Sequence, residues 1–211
     1  MRRIGKHVSG FTLLELVVVI AIITILVGLL FPAFQAVQNS AKKTQAKNDL
    51  TQIVTAVNAF YTEYGKYPTS GTTDATATYG PAGLTTNNLL LNELRAIPPT
   101  TLNTRQIVFI SPPDVKYPAT PRSGIGISGT GAPIPLGQFW DPWGTPYNVE
   151  IDADYTNQIE VNPYPDTDGS AGATPLRIGV ISWSYGSDLT KGTKTPASSN
   201  FKGSDDVISW Q

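Results

Sequence analysis

Cysteine is absent from all 211 residues. No disulfide can staple the fold, and no zinc–thiolate site can form. Histidine occurs once, at His7. A histidine-based triad or a multi-histidine metal site is therefore excluded. Charge is scarce: 15% of residues are Asp, Glu, Lys or Arg, against a usual ~25%. It is also balanced, with 15 basic and 16 acidic residues and a net charge of -1. That balance offers no basic footprint, so nucleic acid is not an expected partner. Gly (19), Pro (17), Ser and Thr fill the gap, which points to a loop-rich domain with β structure. The length suits one domain plus an N-terminal segment.

What the chain does have is one long hydrophobic run. Residues 11–31, FTLLELVVVIAIITILVGLLF, are apolar except Thr12, Glu15, Thr24 and the neutral Gly28. As a helix rising ~1.5 Å per residue, the run spans about one hydrocarbon core. Arg2, Arg3 and Lys6 precede it, and residues 32–41 carry no charge. The positive-inside rule then keeps the N-terminus cytoplasmic and sends the rest across the membrane. The run is too long for a secretory signal, and FPAFQAVQNS after it lacks a clear A-x-A cleavage site. A plain signal anchor fits the hydropathy but leaves Glu15 unexplained. A carboxylate in a lipid-sized segment is costly and calls for a partner or a task.

The border Gly10-Phe11-Thr12-Leu13-Leu14-Glu15 resembles the processing site of type IV prepilins and pseudopilins. The shared features are a short basic leader, Gly, Phe, Glu at the fifth position after the cut, and an unbroken apolar run; Pro32 also matches. The resemblance implies cleavage between Gly10 and Phe11 by a membrane prepilin peptidase, then N-methylation of the Phe11 amine. The apolar segment would anchor the subunit in the membrane and later form the filament core. Glu15 would pair with the N-terminal amine of a neighbouring subunit and set the axial register. A buried carboxylate is tolerated when paired. The plainer alternative is that Glu15 snorkels outward.

Over residues 35–64 the pattern becomes amphipathic. Leu50, Ile53, Val54, Val57, Phe60, Tyr61 and Tyr64 follow the three/four spacing of one helical face. Gly65 suits the C-cap, and Lys66-Tyr67-Pro68 ends the helix. Pro32 is expected to kink or locally unwind it. The apolar stripe is the packing face for a sheet. Residues 69–135 say less. SGTTDATATYGPAG reads as an extended surface loop. Asn88 is expected to cap a short helix through Ala96, stopped by Pro98-Pro99. Residues 106–111 read as a strand. The glycines of residues 124–129 lack the strand, helix and Lys-Ser/Thr of a nucleotide loop and read as a mobile or hairpin loop.

Two C-terminal stretches narrow the family. In residues 139–152, FWDPWGTPYNVEID, Asp141-Pro142-Trp143-Gly144 favours a tight turn and residues 147–151 a strand. Residues 178–185 read as a second strand, followed by a loop bearing glycine and acids and ending Asp205-Asp206-Val207-Ile208-Ser209-Trp210. Together these resemble the major pseudopilin of type II secretion systems, with its DPWGxPY turn, SxGxDG-type loop and ADIxxW-type ending. The loop departs where Leu189 replaces a glycine, and Asp205 replaces a small residue. The resemblance implies a Ca2+ site at Asp188 and Asp206, with Asp205 by adjacency and the Tyr185 carbonyl as a backbone ligand. A hard cation takes oxygen ligands, typically 6–8. Lys191, Lys194 and Lys202 in the same loop count against it. Asp166-x-Asp168-Gly169 is similar to part of an EF-hand loop but lacks its distal acid, and reads as a solvated turn. Trp140, Trp143 and Trp183 are assigned to the sheet core rather than to carbohydrate.

The expected fold is α+β: a long N-terminal helix, hydrophobic then amphipathic, packed on a small antiparallel sheet, pilin-like, with a loop-rich insert. The parts are a leader (1–10), a membrane or filament-core helix half (11–34), an amphipathic half (35–67), an insert (68–137) and a C-terminal sheet with the calcium loop (138–211). The resemblance implies a non-enzymatic subunit of a periplasmic pseudopilus. Its partners would be copies of itself, minor pseudopilins, the inner-membrane assembly platform and the prepilin peptidase. It would be a single-pass inner-membrane protein with a periplasmic C-terminal domain. The rivals are a type IV pilin for adhesion, motility or DNA uptake, and a membrane-anchored binding domain.

Overall fold

The computed structural model describes residues 11–69, 76–127 and 136–211. The chain is α+β and pilin-like: a long N-terminal helix is followed by a short helix and small antiparallel sheets. Helix α1 covers Leu13–Tyr64 and stays helical across Pro32. Local unwinding at Pro32 is therefore not observed. Proline removes one N–H from the ladder, and that loss alone does not oblige the neighbouring residues to leave the helix. At the other end Gly65 adopts φ +68 and donates its N–H to Tyr61 O at 2.8 Å, the left-handed stop that glycine supplies cheaply.

The chain divides into two units, 1–41 and 42–211. The second holds the core. Its main sheet has the order β1-β4-β5-β8, all antiparallel: Ala77–Tyr79, Asn148–Ile151, Val180–Ser184 and Val207–Ile208. Two small hairpins accompany it, β2 (Gly124–Ile125) with β3 (Phe139–Trp140), and β6 (Thr193–Lys194) with β7 (Ala197–Ser198). Helix α2 spans Asn88–Leu94.

The sheet is covered on both faces. On one side Leu50, Ile53, Val57 and Phe60 of α1 pack in one cluster with Val149, Ile151, Val180 and Val207. This is the stripe read from the three/four spacing. On the other side Ile181, Trp183 and Ile208 pack with Ile159, Tyr164, Ala171 and Leu176. Alternation along β5 sends Val180 to the first cluster and Ile181 and Trp183 to the second. The second core was not foreseen, because its outer layer comes from a stretch whose acids suggested solvent. Trp143 and Trp183 are buried, as expected for packing residues.

The insert departs from expectation in three places. Residues 77–79 form β1 against β4 where a surface loop was expected, because Ala77 and Tyr79 meet the apolar pair Ile151 and Val149 across the ladder. Residues 106–111 are not a strand: Gln106 turns at φ 51, and Phe109 N–H donates to Leu94 O at the end of α2. The cap position of α2 is Asn87, not Asn88, and the helix ends at Leu94 rather than Ala96. Asn87 makes no capping bond; its Nδ2 donates instead to Phe139 O (3.1 Å) and Tyr147 O (2.8 Å). Tertiary carbonyls outcompete the local cap here. Leu90, Leu91 and Leu94 join the main core, so the insert is part of it. The β2–β3 pair is a hairpin, as one reading of the glycine stretch had it; its tip lies outside the described residues.

Candidate functional site

Two places carry the chemistry singled out in the sequence. The first is the start of α1. Its most apolar window has a mean hydropathy of 3.0, is long enough to cross a membrane, and has 0% of its residues buried. Phe11 is 73% exposed. Gly10, the expected cleavage position, lies outside the described residues. Glu15 is held locally: its Oε2 accepts from the Thr12 N–H (2.8 Å) and the Thr12 hydroxyl (2.7 Å). In return Glu15 N–H donates to Thr12 Oγ1 at 3.2 Å. This reciprocal T-x-x-E arrangement is a capping box, which satisfies backbone donors that a helix start leaves open. Glu15 therefore has a role inside its own subunit, one that the contrast between register partner and snorkelling side chain overlooked.

The second place follows β5. Gly186–Asp188 form a 3-10 turn, and Tyr185 immediately precedes it. Gly186 sits at φ +68, where an added Cβ would lie 2.5 Å from Asp205 O. Only glycine lets the turn approach Asp205 so closely. Leu189 next adopts φ 61 and ψ 21, the left-handed region that the replaced glycine would enter freely. The turn brings one carboxylate oxygen from each of Asp188, Asp205 and Asp206 within 4.8 Å of the others.

Part of each carboxylate is spent on backbone. Asp205 Oδ2 accepts from the Ser187 N–H and hydroxyl, and from Asp188 N–H at 3.2 Å. Asp188 Oδ1 accepts from Thr190 N–H at 2.9 Å, and Asp206 Oδ2 from Gly192 N–H at 2.8 Å. Asp206 is 5% exposed, and its Oδ1 is buried without a hydrogen-bond partner. Burial pushes its carboxyl up to about 6; the Gly192 N–H opposes, while Asp205 and Asp188 add to the rise. An all-oxygen set with an unpaired buried carboxylate oxygen fits a hard divalent cation.

The N-terminal residues carry the likeness to known proteins. Residues 5–31 match the prokaryotic N-terminal methylation motif. The chain carries a prepilin-type N-terminus. It is homologous to the type IV major pilin protein PilA of Myxococcus xanthus, with 41% identity over 65 residues, 31% of this chain and 30% of the relative. It is likewise homologous to the type II secretion system core protein G of Pseudomonas aeruginosa, with 37% identity over 65 residues, 31% of this chain and 46% of the relative. The alignments thus span less than half the length of either curated relative. No solved structure matches the chain.

Away from the prepilin-type N-terminus, three buried carboxylates organise loops. Asp141 Oδ1 accepts from the N–H groups of Trp143, Gly144 and Thr145, and its Oδ2 from the Ser184 hydroxyl at 2.6 Å. The DPWG turn is thereby tied to β5. Glu93 accepts from the N–H groups of Thr101, Leu102 and Asn103. Asp49 accepts from the Tyr147 hydroxyl at 2.8 Å, joining α1 to the chain before β4. The Pro142-Trp143-Gly144 turn after Asp141 signalled the first; the other two had no local signal. Asp166 is more than a solvated turn: it accepts from Phe201 N–H (2.7 Å) and Lys202 N–H (2.8 Å), while Asp168 pairs with Lys202 Nζ at 2.6 Å. The Lys202 hydrogen bond holds the Asp168 carboxyl down at about 2.

Proposed function

We propose that this chain is a structural subunit of a pilin-type filament, and specifically a pseudopilin of type II secretion. The supporting observation is the prepilin-type N-terminus opening an apolar helix that this chain leaves uncovered. An exposed apolar surface of that length needs lipid before assembly and neighbouring helices after it. The prepilin peptidase cuts between Gly10 and Phe11 and methylates the new amine. The N-terminus faces the cytoplasm and the sheet domain the periplasm. Copies of the chain then stack, with minor pseudopilins and the inner-membrane assembly platform as partners. The chain is a substrate of that peptidase and not an enzyme.

The test is mass spectrometry of the membrane-extracted protein. A mature chain beginning at methylated Phe11 supports the reading; retention of Met1 and the leader overturns it. The capping box sharpens the role of Glu15. Glu15→Gln keeps an oxygen acceptor for Thr12 but removes the charge. If filaments fail to form, the charge pairs with a neighbour's amine. Normal filaments would assign Glu15 to the helix start alone. A second reading, a type IV pilin, is favoured by the PilA homology. Loss of protein export on deletion of the chain distinguishes secretion from adhesion or motility.

The C-terminal loop completes the proposal. Asp188, Asp205, Asp206 and the Tyr185 carbonyl hold Ca2+, which supplies a non-covalent cross-link in a domain without cysteine. Calorimetric titration of the full chain in detergent with Ca2+ should give heat and a raised Tm. Absence of both would remove the site.

A further inference from the structure

We propose that Lys47 guards the open edge of the main sheet: its ammonium ties β8 to α1 and keeps a second copy of the chain from pairing there. The sheet β1-β4-β5-β8 has two outer strands. An outer strand presents unpaired backbone groups, a template for another chain, and proteins cover such edges with a helix, a loop or a lysine. The β1 side is covered by its own continuation: Tyr79 bridges Thr85, and Gly80 N–H donates to Thr85 O at 2.7 Å. Among the described residues, β8 has no strand on its far side.

Register fixes which groups of β8 point outward. Ser209 N–H donates to Ser182 O at 2.9 Å, and Val207 lies opposite Ser184. Bonded and non-bonded pairs alternate along an antiparallel ladder, so Ile208 and Trp183 form the non-bonded pair between these two. The N–H and C=O of Ile208 therefore point away from β5. Lys47, half-buried on α1, donates from Nζ to that Ile208 O at 2.8 Å, and also to the Gln211 backbone oxygen. Hydrogen bonds from a charged donor are the strong ones. On the other side of the segment, Trp210 Nε1 donates to Ala171 O at 2.7 Å. Lys47 is the polar tie on the helix side.

The edge borders open space. A groove of about 580 Å³ runs beside it, lined by Lys43, Lys47 and Thr51 of α1 and by Phe201, Ile208 and Gln211. The partner to be kept out is a second copy, because it brings the same edge. Two β8 strands can pair antiparallel about a two-fold axis, each offering Ile208 N–H and C=O to the other. Lys47 already fills the acceptor that such a pair needs, and two Lys47 ammoniums would be brought together at the axis, where like charges repel. A two-fold pair closes on itself, whereas a filament needs a contact that repeats. Excluding the pair therefore serves assembly; this last consequence rests on the filament reading above, and the tie itself does not.

The experiment uses the full chain in detergent micelles, with amide hydrogen exchange read by mass spectrometry and association read by sedimentation. Lys47→Met keeps the length of the stem and removes the donor. Lys43→Met removes a charge from the same groove but no tie to β8. Exchange over residues 207–211 should rise about tenfold in Lys47→Met and stay at the wild-type rate in Lys43→Met. Exchange in β1 and α2 should not change in either. Lys47→Met should also form dimers as concentration rises, beyond any that wild type and Lys43→Met form. Unchanged exchange in Lys47→Met overturns the proposal. So does an equal rise in Lys43→Met, which would assign the effect to groove charge, or a rise spread over β1 and α2, which would be general loss of stability. Faster exchange without added dimers leaves a tie that guards nothing, and the proposal falls. None of these readouts depends on leader cleavage or on filaments, so failure here and failure of the filament reading are told apart.

Discussion

Replacing Asp141 by alanine should be among the most damaging single changes in the sheet domain. Asp141 is 0% exposed. Its Oδ1 accepts from Trp143 N–H at 2.9 Å, Gly144 N–H at 2.7 Å and Thr145 N–H at 2.9 Å, and its Oδ2 from Ser184 Oγ at 2.6 Å. Truncation strands these four donors at once. A buried donor left without an acceptor costs about 1–3 kcal/mol. Gly144 and Thr145 are half-buried and regain some solvent. The sum is about 3–5 kcal/mol, a large part of the ~5–15 kcal/mol that holds a typical domain. In a domain of this size that lowers Tm by about 10 °C. Asp141→Asn keeps an acceptor oxygen for the three N–H groups and should lose only about 1–2 kcal/mol. The assay is thermal unfolding of the full chain in detergent, read by tryptophan fluorescence, since Trp143 and Trp183 flank the two ends of this network. An alanine variant within ~1 kcal/mol of wild type, or an asparagine variant as damaged as alanine, would refute the reasoning.

Glu150→Gln should flatten the pH dependence of stability. Burial raises the Glu150 carboxyl from 4.5 to about 7, so its contribution is full below pH 4.5 and lost as pH rises through about 7. Wild type should then lose about 3 kcal/mol relative to the variant between pH 5 and 8, and identical slopes in denaturant melts at the two pH values would count against it. Leu50→Ala, at a site 0% exposed in the main core, should cost about 2–5 kcal/mol. Leu26→Ala, at a site 53% exposed within the chain, should leave the melting of the sheet domain unchanged; an equal effect of the two would contradict the division of α1 into a covered and an uncovered part. Leu189→Asn should raise Tm slightly and Leu189→Val lower it, because φ 61 suits asparagine and strains a β-branched residue.

Much of this molecule is written in local patterns. The apolar run with its preceding Gly10 and its early Glu15 needs no partner to be recognised, because hydropathy and the methylation motif are properties of contiguous residues. The exit at Gly65, the turn at Asp141 to Gly144 and the strands around Val149 and Ile181 are equally local: periodicity and left-handed glycines encode them directly. The spacing of Leu50, Ile53, Val57 and Phe60 already marked the face that a sheet would cover.

Tertiary structure decided the rest. Asn87 and residues 106–111 followed distant backbone groups rather than their own propensity. The outer core around Tyr164 arises from residues that look like loop in isolation. The meeting of Asp188 with Asp205 and Asp206 was suggested by motif, but their mutual distances and the unpaired Asp206 oxygen come from folding. Hydrophobic period and turn chemistry are properties of neighbours along the chain. The pairing of a buried polar group is a property of whatever the fold brings beside it, and no window of sequence contains that partner.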